Sequence, residues 1–263
     1  MNEYLLLLFI TGALFGYIGG YAGIGGAPFL ISFSTIVLGL SQYEAQGTIL
    51  AVMLGPMSLF SVIVMWDRVK ILKWYIFSGV LSYAVFSYFG ALGAYTVSEF
   101  SLKMLFGFLL LSIGIVNLYV SRNMTKIDQP LHPDTITVSD AAVPVNIYSI
   151  TILGIITGLF GGFFGIGAGV LMMPVFISVF GMHKDDARAL SLAILLPPVS
   201  IGAAVKYHSA GAINVKIALI IFFAYFITNY FGAKQGKRHS SRKFRKYFGI
   251  ILIFLGLSYF IFI

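Results

Sequence analysis

Gly16-Tyr-Ile-Gly-Gly-Tyr-Ala-Gly-Ile-Gly-Gly-Ala-Pro28 is the stretch on which the reading of this chain turns. It lies inside an apolar run, Tyr4 to Leu38, that contains no charged residue. The pattern returns as Gly158-Leu-Phe-Gly-Gly-Phe-Phe-Gly-Ile-Gly-Ala-Gly169. Gly12, Gly16, Gly19, Gly20, Gly23 and Gly25 stand 142 positions before Gly154, Gly158, Gly161, Gly162, Gly165 and Gly167. Glycine weakens a plain helix interior, because it frees and exposes the backbone. Two matching clusters therefore predict broken backbone used twice. Within a membrane such breaks are tolerated only where protein shelters them or where they line a cavity.

Composition places the chain in a bilayer. Of its 263 residues 59% are hydrophobic and 10% charged, against about 25% charged in soluble domains. Several uncharged runs reach the roughly 20 residues needed for a crossing. The expected class is an all-α polytopic membrane protein, since a β-barrel would show short alternating strands. There is no cysteine, which excludes disulfides and thiolate chemistry. Glu3 precedes the first apolar run with no Lys or Arg beside it, which argues for a retained segment over a cleaved signal. The net charge of +8 is read as basic membrane-protein loops, with no nucleic-acid partner.

Outward from the first glycine cluster, the run Tyr4 to Leu38 would measure about 52 Å as one helix, against a hydrocarbon core of about 30 Å. A hairpin of two short helices, broken near Gly23 to Gly26, fits better. Pro28 would sit in the first turn of the second arm, where a missing N–H costs little. Ser41-Gln-Tyr-Glu44 reads as a capping box. It would open a helix to about Met65, kinked at Gly55-Pro56. A short basic loop, Trp66 to Lys73, leads to crossings at Trp74 to Tyr95 and Phe100 to Val120.

Ser121 to Asn146, with Pro130, Pro133 and Pro144, is the long polar stretch and reads as a linker. The second half then repeats the plan: a glycine-broken run from Ile147 to Phe180, and crossings near 187–205, 216–233 and 247–263. Gly90 pairs with Gly232, Gly114 with Gly256, and Gly55-Pro56 with Pro197-Pro198, all at the same offset. The expected organisation is a first membrane repeat over 1–120, a linker over 121–146 and a second repeat over 147–263.

Loop charge predicts the topology. With five segments per half, Trp66–Lys73, the linker, Gly181–Arg188 and Lys234–Lys246 share one side and hold 14 of the 17 Lys and Arg. With four per half the split is nearly even. The positive-inside rule prefers the first arrangement. An odd number of segments inverts the second half, so the expectation is an inverted repeat in a bacterial plasma membrane. The linker would be cytoplasmic and both termini outside. Inverted repeats whose short glycine-interrupted helices meet near the midplane are a transporter plan. Helix N-termini and successive glycine N–H groups at such tips favour anions.

The sequence resembles the sulfite exporter TauE/SafE family over nearly its whole length. Gly19-Gly-Tyr-Ala-Gly-Ile-Gly-Gly-Ala-Pro28, Gly161-Gly-Phe-Phe-Gly-Ile-Gly-Ala-Gly169, Ala45-Gln-Gly-Thr48 and the Gly90 and Gly232 regions carry the resemblance. It implies export of sulfite, small organosulfonates or other small anions. The second half departs from the expected pattern at Ala189-Leu190-Ser191, which stands where the first half has Gly47-Thr48-Ile49. The polar contact expected at position 190 is absent.

The candidate substrate-binding residues are the tip glycines Gly23, Gly25, Gly26, Gly165, Gly167 and Gly169, with Gln46, Thr48, Arg188 and Ser191. The competing reading of the glycines is close helix packing, and of Gln46 and Thr48 inter-helix hydrogen bonding. Arg188 could bind an oxyanion through its forked donors, or simply anchor an inside-facing end. Ser200 is a weaker candidate, and Lys206 and His208 read as interfacial side chains. All nine acidic residues fall in loops or at helix ends, so no proton-relay carboxylate is expected mid-membrane. The expected activity is potential-driven efflux of a small sulfur oxyanion by alternating access, with a channel or a carrier of another small anion as the alternative. No enzyme is expected: Ser191 and His208, the one tempting pair, would lie about 25 Å apart along one helix. No cofactor or metal is expected. The partners are the small anion and the lipid bilayer, and the aromatic and small residues on the helices are compatible with a homodimer.

Overall fold

The computed structural model describes residues 2–22, 25–123, 145–236 and 241–261. Gly23, most of the linker and residues 237–240 of the basic stretch lie outside them. The first half contains α1 (Asn2–Ala22), α2 (Ala27–Ile36), α3 (Gln42–Val52), α4 (Leu59–Val64), α5 (Trp66–Ile71), α6 (Lys73–Ala94) and α7 (Glu99–Asn123). The second contains α8 (Ile147–Phe164), α9 (Gly169–Ser178), α10 (Lys184–Ile194), α11 (Ile201–Ser209), α12 (Val215–Gly236) and α13 (Ser241–Ile261). Every described element is a helix. Five, namely α1, α6, α7, α8 and α12, are long and apolar enough to cross a membrane. Their outer faces present Trp74, Phe77, Phe100, Phe108, Tyr148 and Phe223, each at least 57% exposed. A surface of that size and polarity belongs against lipid. The chain is an all-α, multi-pass membrane protein.

Several local expectations meet the structure directly. Pro28 sits in the first turn of α2. Ser41 and Glu44 form the reciprocal capping box at the start of α3. Gly25, Gly165 and Gly167 all have φ between 71° and 77°, backbone that side chains resist, so glycine is required at both breaks.

Other expectations need correction. Only the second arm of each glycine-broken run is short: α1 has 21 residues and α8 has 18, against 10 each in α2 and α9. The helix expected from Ser41 to about Met65 is not kinked but divided into α3 and α4. Its second-half counterpart divides into α10 and α11 at Pro197-Pro198. Proline supplies no N–H and disfavours helix at the residue before it, and partners from the other half cap the freed ends. Ser58 Oγ donates to the Leu192 carbonyl at 2.8 Å. Ser200 Oγ donates to the Leu50 carbonyl at 3.1 Å. Both carbonyls belong to the last turn of a helix, where no intrahelical partner exists. Trp66 to Ile71, expected as loop, is the helix α5. Ser191 and His208 therefore lie on two helices, α10 and α11, rather than one.

The two halves interlock. α1 packs along α12, α8 along α6, and α7 along α13. Glycine contacts are the same on both sides when the halves are exchanged. A Cβ on Gly16 would meet the Tyr225 carbonyl oxygen at 2.5 Å, and one on Gly158 the Tyr83 carbonyl oxygen at 2.8 Å. Gly20 lies against the Asn229 carbonyl and Gly162 against that of Ser87; Gly90 against that of Leu159 and Gly232 against that of Tyr17. Each of these pairs of contacts is related by the offset of 142. Lipid offers apolar helices little hydrophobic gain, so contact between backbones at bare glycines is what binds them. Gly90→Ala and Gly232→Ala should each cost about 1–3 kcal/mol by overpacking, in similar amounts. Gly93→Ala, with Phe163 at 3.4 Å as its nearest neighbour, should be nearly neutral. Thermal unfolding of the three purified variants in detergent checks this.

Candidate functional site

Four helix breaks converge: the two glycine tips and the turns after α3 and α10. Between them lies a cavity of about 30 Å³. Gly25, Gly26, Ala27 and Leu30 of the first tip line it, as does Ile166 of the second. Ile49, Met53, Met57 and Ser58 enclose it from the α3 side, and Leu192 and Leu195 from α10. Tyr225 and Asn229, both on α12, close the wall. The cavity therefore takes residues from both halves. None of its described lining side chains is a carboxylate, amine or guanidinium.

Its polar groups are neutral donors on a rigid mount. Gly26 is the N-cap of α2, and no side chain caps that end. The Tyr225 ring lies against Gly26 and its hydroxyl against Gly19, beside Asn229. The Asn229 amide, with its nitrogen donating to Ser61 Oγ at 2.7 Å and to the Met57 carbonyl at 3.2 Å, accepts from the Gly20 N–H at 3.2 Å. Asn229 is 1% exposed and Ser61 is fully buried. The uncapped helix N-terminus favours negative charge, and the Tyr225 hydroxyl can turn its hydrogen to an anion's oxygen.

Of the described residues expected from the sequence, Gly25 and Gly26 line the cavity and the others do not. Gly167 abuts the Met53 methyl, and Gly165 packs on Gln46. Gly169 is buried as the first residue of α9. Gln46 accepts from the Tyr207 hydroxyl at 2.7 Å. Thr48 Oγ1 accepts from the Asn214 N–H at 3.0 Å, holding the start of α12. Arg188 is buried, and its Nη2 donates to the Gly20 carbonyl near the end of α1 and to the Ala233 carbonyl on α12. A cation there answers the negative end of α1, so Arg188 is an internal cap and not an exposed anchor. Ser191 is fully buried, and its hydroxyl has no partner among the described residues. Gly23 lies outside the described residues.

The pattern of the sulfite exporter TauE/SafE family matches residues 8–259. The chain belongs to that family. It is 30% identical to a probable membrane transporter protein of Methanocaldococcus jannaschii, over 97% of this chain and 96% of that protein. It is 24% identical to a probable membrane transporter protein of Bacillus subtilis, over 88% of each. No solved structure matches the chain.

Sequence reasoning missed Tyr225, Asn229, Ser58 and Ser61 in this TauE/SafE chain. Asn229 did leave a signal, as a lone asparagine in the apolar run of α12, where a polar residue needs a reason. The hydrogen bonds also separate structural from binding roles. Thr48→Val should lose about 1–3 kcal/mol by stranding the Asn214 N–H, whereas Thr48→Ser should keep both stability and flux. Unfolding midpoints and transport assays of the pair would check it.

Proposed function

We propose that this TauE/SafE membrane transporter exports a small sulfur oxyanion, sulfite or a small organosulfonate, by alternating access around the central cavity. The observation that carries the reading is the position of the cavity. It lies where both tips and both divided helices meet, lined by neutral donors beside the free N-terminus of α2. Its volume of about 30 Å³ would hold about two waters. A four-atom oxyanion needs Met53 and Met57 to move, and unbranched thioethers do so readily. The state described is then an occluded one.

In this reading the two halves are inserted as an inverted repeat, each tip entering from its own face, with domain limits at 1–120, 121–146 and 147–263. The contacts repeated under exchange of halves support the duplication. Arg68 of α5 pairs with Asp186 at 2.6 Å and lies 3.7 Å from Asp185, both in the first turn of α10. That pair brings together two of the loops that loop charge assigns to the cytoplasm. The linker then lies on the same side, with both termini outside. An anion leaving a negative interior gains about 2.3 kcal/mol per charge per 100 mV, which suffices without a coupled proton. Gln46, Thr48 and Arg188 act behind the site by fixing the helix ends around it, with Gly25 and Gly26 facing the anion.

The test is flux in proteoliposomes under an imposed potential, with sulfite, small sulfonates, sulfate and acetate compared. Saturable, potential-dependent sulfite movement with trans-stimulation is expected. Flux without saturation or trans-stimulation would replace the carrier by a channel, and exclusive acetate movement would replace the substrate. Asn229→Asp places a carboxylate against the anion and should cut flux at least tenfold, since one lost charge-assisted hydrogen bond alone is worth about that. Gly25→Val, whose Cβ meets no described atom within 4 Å but which strains a positive φ, should fold and transport poorly.

A further inference from the structure

We infer that the second half carries a mate to the cavity, an anion half-site around the Tyr83 and Ser191 hydroxyls, shut in this structure by the Met53 side chain. The inference rests on the transport reading for its ligand, but not for its existence.

The argument starts from the offset. Adding 142 to the residues that line the cavity from the first half gives Gly167, Gly169, Ser191, Leu195 and Ser200 for Gly25, Ala27, Ile49, Met53 and Ser58. Subtracting it from Tyr225 and Asn229 gives Tyr83 and Ser87. The glycine contacts show that this mapping holds in space. Gly19 packs on the Tyr225 hydroxyl and Gly161 on the Tyr83 hydroxyl. Ser58 and Ser200 make the same bond to the opposite half. The mate position is therefore a real place in the fold.

Two of its polar groups are unused. Tyr83 and Ser191 are fully buried, and neither hydroxyl has a hydrogen-bond partner among the described residues. Tyr225, at the equivalent place, lies beside Gly26 and Asn229 and faces the open cavity. A buried hydroxyl left unpaired costs free energy that phenylalanine or alanine would not. Two such groups at mated positions make sense if a partner arrives in another state. Both hydroxyls can donate to such a partner, and a small oxyanion accepts hydrogen bonds.

The plug is also visible. The Met53 methyl lies where a Cβ on Gly167 would be, so it occupies the mate position, while Met53 also lines the first cavity. One flexible thioether between the two positions can open one as it closes the other. The first position keeps Asn229 and Ser61, where the second has Ser87 and Ala203. The second is the weaker site, suited to release.

The chain contains no cysteine, so one introduced thiol reports its own surroundings. Ser191→Cys is probed in liposomes with a small anionic thiosulfonate added to either side, alone and with Met53→Ala. Labelling from one side, faster with Met53→Ala, is expected; no labelling in either background overturns the half-site. Tyr83→Phe removes a hydroxyl that bonds to nothing here, so its unfolding midpoint should stay level or rise. Its sulfite flux should fall about tenfold, the cost of one hydrogen bond to a charged ligand. Wild-type flux from Tyr83→Phe overturns the anion role. If the parent protein moves no sulfur oxyanion at all, the transport reading fails, and the labelling result still decides whether the half-site exists.

Discussion

In hydrocarbon every backbone N–H and C=O must find its partner inside the protein. This molecule interrupts its helices in the places where that is hardest to satisfy. The breaks after α1, α3, α8 and α10 free donors and acceptors inside the protein, and each is met by a group from elsewhere in the chain. Ser58 and Ser200 reach across to the last turns of α10 and α3. Arg188 answers the end of α1. The Tyr207 hydroxyl, held by Gln46, lies 3.4 Å from the Phe163 carbonyl near the end of α8. The cavity exists because these interrupted ends are gathered in one place and sheltered together.

What holds the shelter closed is proximity rather than apolar drive. Glycines on α1, α6, α8 and α12 let one backbone touch the next. α7 and α13 meet similarly through Gly107, Gly114, Gly249 and Gly256. Polar pairs fasten the ends: Arg68 to α10, the Gln42 N–H to Glu99 at 3.0 Å, and Asn214 to Thr48. The interior between them also buries polar side chains such as Gln42, Gln46, Thr48 and Arg188, but the cavity itself meets only uncharged groups near Asn229.

The repeat and the tips were legible because a glycine carries geometry. A bare position marks either positive φ or a close approach, and both kinds recur at one offset. Pro28 and the Ser41 box were legible because their chemistry is local. The break at Gly55-Pro56 could be read only as a kink, since whether a helix bends or ends depends on a capping group 134 residues away, Ser58 against Leu192. Tyr225 and Asn229 escaped for a similar reason. They belong to the wall opposite the tip, and no spacing along the chain says that α12 is that wall. Arg188 was legible as important but not as a cap, because its acceptors are backbone carbonyls and leave no trace in side-chain patterns.

The pairing of α1 with α12 has a consequence for how the molecule is made. As the chain enters the bilayer from its N-terminus, α1 emerges with a glycine face shaped for a helix that begins at Val215. α6 must likewise wait for α8, and α7 for α13. The first half is thus inserted before any of its long helices has its principal neighbour, with notched surfaces open to lipid. Maturation ends only when the last two helices, α12 and α13, arrive to cover them.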